Sequence, residues 1–302
     1  MQRGEIIELG NHRLMCGDAT SAEDIARLMG NDHARILFTS PPYSDIRTYK
    51  GCDISPSHIG EFIPLMKKYA EVMCVNLGIK RKDYEIIQFW DTYIAKARES
   101  GMKLLAWNVW DKTFPGSIYA QQAMFPLRHE FVFVFGERAY KLNRTIPKRS
   151  PDNPSAVRPL RSRRQTDGSM IVTSARPRPE EPNKPLESVI AVASERGPIR
   201  SKHPAVMPVG LPLEYIKAMT EEGEYVLEPF AGSGTTLIAC ERTGRRCLAM
   251  EISEDYCEVI KERYERGQIV NDECKNAKIQ AGRTKSSKIQ SQEETEARRQ
   301  GV

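Results

Sequence analysis

Two stretches of this chain hold residues whose types and spacing can do chemistry. The first is Ser40-Pro41-Pro42-Tyr43, which follows the apolar run Ala34 to Phe38. Two consecutive prolines cannot extend a sheet ladder, so the chain leaves its strand there in a rigid turn. That rigidity aims the backbone carbonyls in advance, a form of electrostatic preorganisation. The Ser40 hydroxyl and the carbonyl of Pro41 or its neighbour make a pair of acceptors suited to the two hydrogens of an amine. An amine conjugated to an aromatic ring is a poor nucleophile, because its lone pair is delocalised. Acceptors on both hydrogens draw the nitrogen toward tetrahedral geometry and free that pair. Tyr43 adds a flat face for a planar ring. Taken alone, the stretch is equally a plain strand exit, since Ser and Pro are ordinary turn residues.

The second stretch is Glu228-Pro229-Phe230-Ala231-Gly232-Ser233-Gly234-Thr235-Thr236. It follows the apolar run Tyr225 to Leu227 and opens a helix. Gly232 and Gly234 let the backbone pass close to a ligand where a Cβ would collide. Helix N–H groups near Thr235 point into the same space. About twenty residues on, Glu251 ends another strand, where a carboxylate accepts hydrogen bonds from ribose hydroxyls in dinucleotide folds. The turn lacks the third glycine of the NAD fingerprint and the lysine of a nucleoside-triphosphate loop, which argues against both ligands.

Together the two stretches resemble the amino-methyltransferases of DNA, which use S-adenosylmethionine. In that family Asp/Asn/Ser-Pro-Pro-Tyr/Phe holds the target base and Phe-x-Gly-x-Gly holds the cofactor. The resemblance covers about residues 12–266. It assigns Ser40, Pro41, Pro42 and Tyr43 to catalysis. It assigns Asp18, Glu228, Phe230, Gly232, Gly234, Thr235 and Glu251 to the cofactor; many relatives carry Asp where this chain has Glu228. The pair His129-Glu130 resembles a late motif near the flipped base. The catalytic stretch precedes the cofactor stretch, which is the β-type circular permutation. The implied fold is α/β and Rossmann-like: a mainly parallel seven-stranded sheet with one reversed strand, expected at 130–135.

The elements that must position these residues follow from periodicity and punctuation. His12 to Asp18 reads as a strand ending in Gly-Asp, with Thr20 or Ser21 capping a helix from Ala22 to Met29. The polar run 44–59, with Arg47 and Tyr49, reads as a base-contact loop or lid. Apolar residues at helical spacing predict helices over 60–77 and 81–99. Strands follow at 103–110 and 130–135. Short strands fit Met170 to Val172 and Ser188 to Val192. A helix with Pro near its start covers Pro212 to Thr220. Strand 225–230, helix 234–243, strand 245–252 and helix 254–266 make a βαβ pattern with parallel strands.

Charge is concentrated in one segment. Residues 138–203 carry 15 Lys and Arg against 6 Asp and Glu, while the whole chain is only +5, so the remainder is net acidic. The segment has nine of the 19 prolines, and no aromatic residue lies between Lys141 and Glu214, too little to build a core of its own. Its basic centre contains Arg158, Arg161, Arg163 and Arg164. It reads as a DNA-binding insert, partly mobile until DNA arrives, where the family places target recognition. The chain thus divides into a catalytic half at 1–137, the basic insert at 138–203, a cofactor half at 204–266 and a polar tail at 267–302.

The seven cysteines lie at scattered positions without metal-ligand spacing, so no metal is expected. None lies in the Pro-Cys context that attacks carbon-5 of cytosine. No apolar run has membrane length and no signal pattern precedes the first strand, which points to a cytoplasmic protein. Double-stranded DNA is the expected partner, with a cognate restriction nuclease a further partner that the resemblance allows. The target amine stays open between cytosine N4 and adenine N6, with Ser40 favouring cytosine by family usage. An RNA or protein-amide methyltransferase usually has the opposite motif order. A non-catalytic DNA-binding protein on the same fold is a further alternative, against which the intact glycines and catalytic turn count.

Overall fold

The computed structural model describes residues 1–42, 60–113, 125–148, 161–173, 182–194 and 207–267. Among these, the strands β1 (Ile6–Leu9), β2 (His12–Cys16), β3 (Ala34–Thr39), β4 (Ala70–Leu77), β7 (Lys103–Asp111), β8 (His129–Gly136), β13 (Val189–Ala191), β14 (Tyr225–Glu228) and β15 (Arg246–Glu251) form one sheet. Its order is β1-β2-β15-β14-β3-β4-β8-β7-β13. The seven strands from β2 to β7 are the expected sheet, and β8 is its reversed strand, antiparallel to both β4 and β7. Two short edge strands extend it: β1 antiparallel to β2, and β13 parallel to β7.

The pleat divides the core. Ile36, Phe38, Cys247 and Ala249 belong to one buried cluster, with Leu211, Tyr215 and Ile216 of α4 (Gly210–Met219) and Leu237 and Cys240 of α5 (Thr235–Thr243). Their alternate neighbours Leu37, Leu248 and Met250 belong to the other. There they meet Ile25 and Leu28 of α1 (Ala22–Met29), Phe62 of α2 (Phe62–Met66), and Tyr93 and Ile94 of α3 (Trp90–Glu99). A parallel sheet covered on both faces has to read as near-continuous apolar strands, and these do. Ser21 caps α1, accepting from the Asp24 amide at 3.2 Å. A last helix, α6, spans 254–267.

Two expected helices are corrected. Residues 60–77 contain only the single-turn α2, followed by β4 in the middle of the sheet. Val72, Met73, Cys74, Val75, Asn76 and Leu77 are buried on both faces, so their apolar run matches a helical stripe by chance. Residues 81–99 begin instead with a ribbon of β5 (Lys80–Lys82) and β6 (Glu85–Ile87), and the helix starts only at Trp90. Positive φ at Asp83 (51°) and Tyr84 (69°) makes the tight turn that a helix cannot contain.

In the basic segment, Arg161, Arg163 and Arg164 lie in β10 (Arg161–Arg164), paired with β11 (Met170–Thr173) as a separate ribbon. A second ribbon joins β9 (Arg144–Pro147) to β12 (Asn183–Pro185). Arg158, the loop 44–59 and the tail from 268 lie outside the described residues.

Candidate active site

The C-terminal ends of β2, β15, β14, β3 and β4 come to one edge of the sheet. Register places Glu251 opposite Cys16, Glu228 opposite Ala249, and Thr39 opposite Val75. Chain connectivity reverses between β14 and β3, so a crevice outside these strand ends is where such sheets bind ligands. The two stretches singled out by sequence flank that crevice: Ser40, Pro41 and Pro42 leave β3, and Phe230 to Thr235 leave β14. Tyr43 lies outside the described residues.

Glu228 joins the two sides. Its Oε1 accepts from the Thr39 hydroxyl at 2.5 Å and the Phe230 amide at 3.0 Å, and its Oε2 from the Thr236 hydroxyl at 2.7 Å. Burial pushes this carboxyl up to about 8, aided by the nearby Glu251 charge and opposed by the three donors. Both oxygens are therefore turned inward and engaged within the protein. Thr39 and Thr236 are the contributors that the sequence reading passed over. Thr39 precedes the first stretch and Thr236 ends the second, but only the fold shows that they share one carboxyl group.

Glu251 is shaped differently. Its Oε2 accepts from the Gly232 amide at 2.7 Å and its Oε1 from the Ser253 amide at 3.0 Å. Burial raises its pKa while these amides hold it down. The Ile252 amide is a third donor to this group, and a carboxylate has about four acceptor sites, so it is fixed in direction and still able to accept from a hydroxyl. Gly232 has φ 52° and Gly234 φ 77°, in the region that favours glycine. A Cβ on Gly234 would stand 3.0 Å from Cγ2 of Ile260. Arg263 of α6 donates to the Ser233 carbonyl at 2.9 Å, holding the turn from behind. Thr235 opens α5, and its hydroxyl donates to the Met207 carbonyl at 3.3 Å.

Asp18 lies next to Glu251, because the Gly17 amide donates to the Glu251 carbonyl at 3.0 Å. Its Oδ1 accepts from the Thr20 amide at 2.8 Å and hydroxyl at 2.7 Å, and it is half-buried. Phe230 is half-buried, its ring edge-on to Phe62 with centroids 5.1 Å apart. This set suits an adenosine-bearing cofactor: a carboxylate for hydroxyls, an aromatic ring, small residues at the turn and the N-terminus of a helix. His129 and Glu130 begin the reversed strand, so they also lie at this edge. His129 packs on Phe131, and Glu130 pairs with Lys112 at 2.5 Å. No metal-ligating cluster is found among the described residues.

Comparison with known proteins gives this arrangement its class. Residues 34–262 match the DNA methylase model of the N6/N4 methyltransferases. The chain belongs to this family of S-adenosylmethionine-dependent DNA methyltransferases, acting on cytosine N4 or adenine N6. It is 24% identical over 242 residues to the orphan methyltransferase M.BamHII of Bacillus amyloliquefaciens, covering 76% of this chain and 87% of that one. Its fold is similar to M1.HpyAVI crystallised with its cofactor, at TM-score 0.56 and 19% identity over 83% of this chain and 97% of that one. It is also similar to the PvuII DNA methyltransferase, at TM-score 0.56 and 15% identity over 85% and 92% of the two chains. No helix among the described residues is long and apolar enough to cross a membrane.

Proposed function

We propose that this methyltransferase modifies N4 of a cytosine flipped out of double-stranded DNA in the cytoplasm. The observation that carries the choice of base is Ser40 at the head of the Pro-Pro turn. Asp or Asn is usual there in adenine-N6 enzymes, and Ser in cytosine-N4 enzymes. A hydroxyl is an uncharged and weaker acceptor than a carboxylate. It can also donate to the ring nitrogen beside the amine. Both bases offer such a nitrogen, so adenine N6 is the second reading.

When bound, S-adenosylmethionine supplies an electrophilic methyl group. The chain's own residues prepare the acceptor. Ser40 Oγ and the carbonyl of Pro41 or its neighbour accept from the two amine hydrogens and free the nitrogen lone pair. Transfer to the nitrogen would break the methyl carbon's bond to the sulfonium sulfur, leaving a neutral thioether, and one amine proton would depart to solvent. Tyr43 offers its ring to the extruded base; such stacking is worth about 1–3 kcal/mol, against roughly a few kcal/mol for extrusion. Phosphate contacts from Arg158, Arg161, Arg163 and Arg164 supply the rest.

Mass spectrometry of nucleosides from DNA treated with enzyme and cofactor tests the reading. N4-methylcytosine is the expected product. N6-methyladenine alone would move the target to adenine. Neither product, on DNA of varied sequence, would favour a non-catalytic DNA-binding protein. Ser40→Ala should lower turnover at least tenfold while leaving cofactor affinity unchanged, since its contact is to the amine.

A further inference from the structure

The ribbon of β5 and β6 has no part in the site described above, yet it rises from the same edge of the sheet. Thr39 and Val75 are paired across β3 and β4, and β4 ends at Leu77, three residues before the ribbon begins. Lys80 pairs with Ile87, Arg81 with Ile86 and Lys82 with Glu85, leaving Asp83 and Tyr84 as a two-residue tip. At about 3.3 Å per residue, three residues of strand carry that tip roughly 10 Å from its root.

The tip is chemically unusual. Both its residues have positive φ, a conformation normally left to Gly, Asn or Asp and rarely adopted by a bulky ring. Tyr84 is nevertheless placed there with 78% of its surface exposed, and Ile86 beside it is 43% exposed. Three consecutive cationic residues, Lys80, Arg81 and Lys82, form the ascending strand. Arg81 Nη2 donates to the Phe125 carbonyl at 3.2 Å, which ties the ribbon to a second exposed ring, Phe125, 90% accessible. An exposed aromatic tip on a basic stem complements a polyanion with stacked flat rings, and a folded core gains nothing from it.

We propose that the β5–β6 ribbon is a second DNA-contacting element, its basic strand meeting phosphates and the Tyr84 ring packing against a base step opened next to the flipped base. The inference rests on the DNA-methyltransferase reading, because that reading brings a distorted duplex to this edge. A ring inserted at an unstacked step offsets part of the stacking lost on extrusion.

The test uses wild type, Tyr84→Gly and Tyr84→Phe. Glycine accepts positive φ freely, so removal of the ring should leave the melting temperature unchanged or higher. Tyr84→Asn serves as a second ring-free variant that also tolerates the tip. Methyl incorporation from labelled cofactor into sheared unmethylated genomic DNA gives KM for DNA. A duplex with 2-aminopurine replacing the target base, at a site mapped on that DNA, reports extrusion by its fluorescence. Loss of the ring should raise KM for DNA about tenfold and lower the 2-aminopurine signal with cofactor affinity unchanged, and Tyr84→Phe should behave as wild type. Ring-free variants within twofold of wild type in both readouts would overturn the proposal, as would a Phe variant as impaired as Gly. Failure of wild type to methylate any DNA would instead overturn the underlying reading.

Discussion

The Thr39 hydroxyl donates to Glu228 Oε1 at 2.5 Å, although the two residues stand 189 positions apart in the chain. Thr39 immediately precedes the Pro-Pro turn proposed for the target base, and Glu228 stands just before the glycine turn proposed for the cofactor. One buried carboxyl group therefore links the two turns, which leave strands that are already ladder neighbours. A methyl transfer needs donor and acceptor in line within a few tenths of an ångström, so a rigid link at this point is where positional error would matter most.

That link has a pH signature. Burial raises the Glu228 pKa to about 8, so the folded protein holds a proton that the unfolded chain releases above about 4.5. Its stabilising contribution is fully present below about 4.5 and is lost as pH rises through about 8. His12 works in the opposite sense: burial lowers its pKa, so stability is lost as pH falls through that depressed value. Glu228→Gln keeps a carbonyl for Thr39 and a neutral side chain, while His12 is untouched. The difference in melting temperature between variant and wild type isolates Glu228. Wild type should lose ground to the variant steadily from pH 5 to pH 8, by several degrees in total. Parallel curves across that range would show that Glu228 does not hold its proton.

Legibility from sequence varied for reasons visible in single residues. The turn strands β3, β14 and β15 were readable because Pro41, Gly232 and the helix starts punctuate them. β4 was not, because a strand buried on both faces loses its period of two; Leu65, Met66, Tyr69 and Met73 then mimic a helical stripe. The β5–β6 ribbon was hidden because its tip carries Asp-Tyr where a hairpin normally advertises itself with Asn-Gly. Asp18, Glu251 and the glycines could be placed at one edge from motif order. The inward commitment of Glu228 could not, since it depends on a hydroxyl from a distant strand. Glu228, which the resemblance assigns to the cofactor, also links the two turns through Thr39, Phe230 and Thr236.

The glycine turn proposed for the cofactor permits a direct measurement. Gly232 combines φ 52° with an amide that orients Glu251 at 2.7 Å. Gly232→Val both strains the turn and fills the space a ligand backbone approach requires, so S-adenosylmethionine affinity should fall beyond detection by calorimetry while the fold persists. Glu251→Ala removes the acceptor proposed for the ribose hydroxyls and should weaken affinity by about tenfold to a hundredfold, the range for hydrogen bonds to a charged group. A Gly232→Val protein that binds the cofactor normally would displace the site from this turn.

The basic segment makes its own prediction, separable from the cofactor. Arg161, Arg163 and Arg164 form β10, whose ladder partner is β11 and not the nine-stranded sheet, so replacing them leaves the main hydrogen-bonded sheet intact. Each phosphate neutralised by an arginine releases condensed counterions, and the logarithm of affinity falls with the logarithm of salt by about 0.9 per contact. If all three arginines meet phosphates, the triple alanine variant should flatten that slope by about 2.7. Its DNA affinity should fall most at low salt, and wild type and variant should approach each other as salt rises. Calorimetric affinity for S-adenosylmethionine should stay at the wild-type value, because none of the three belongs to the turns that flank the crevice. An unchanged salt slope, measured by fluorescence anisotropy on a labelled duplex, would remove this ribbon from the DNA interface and leave its charge without a partner.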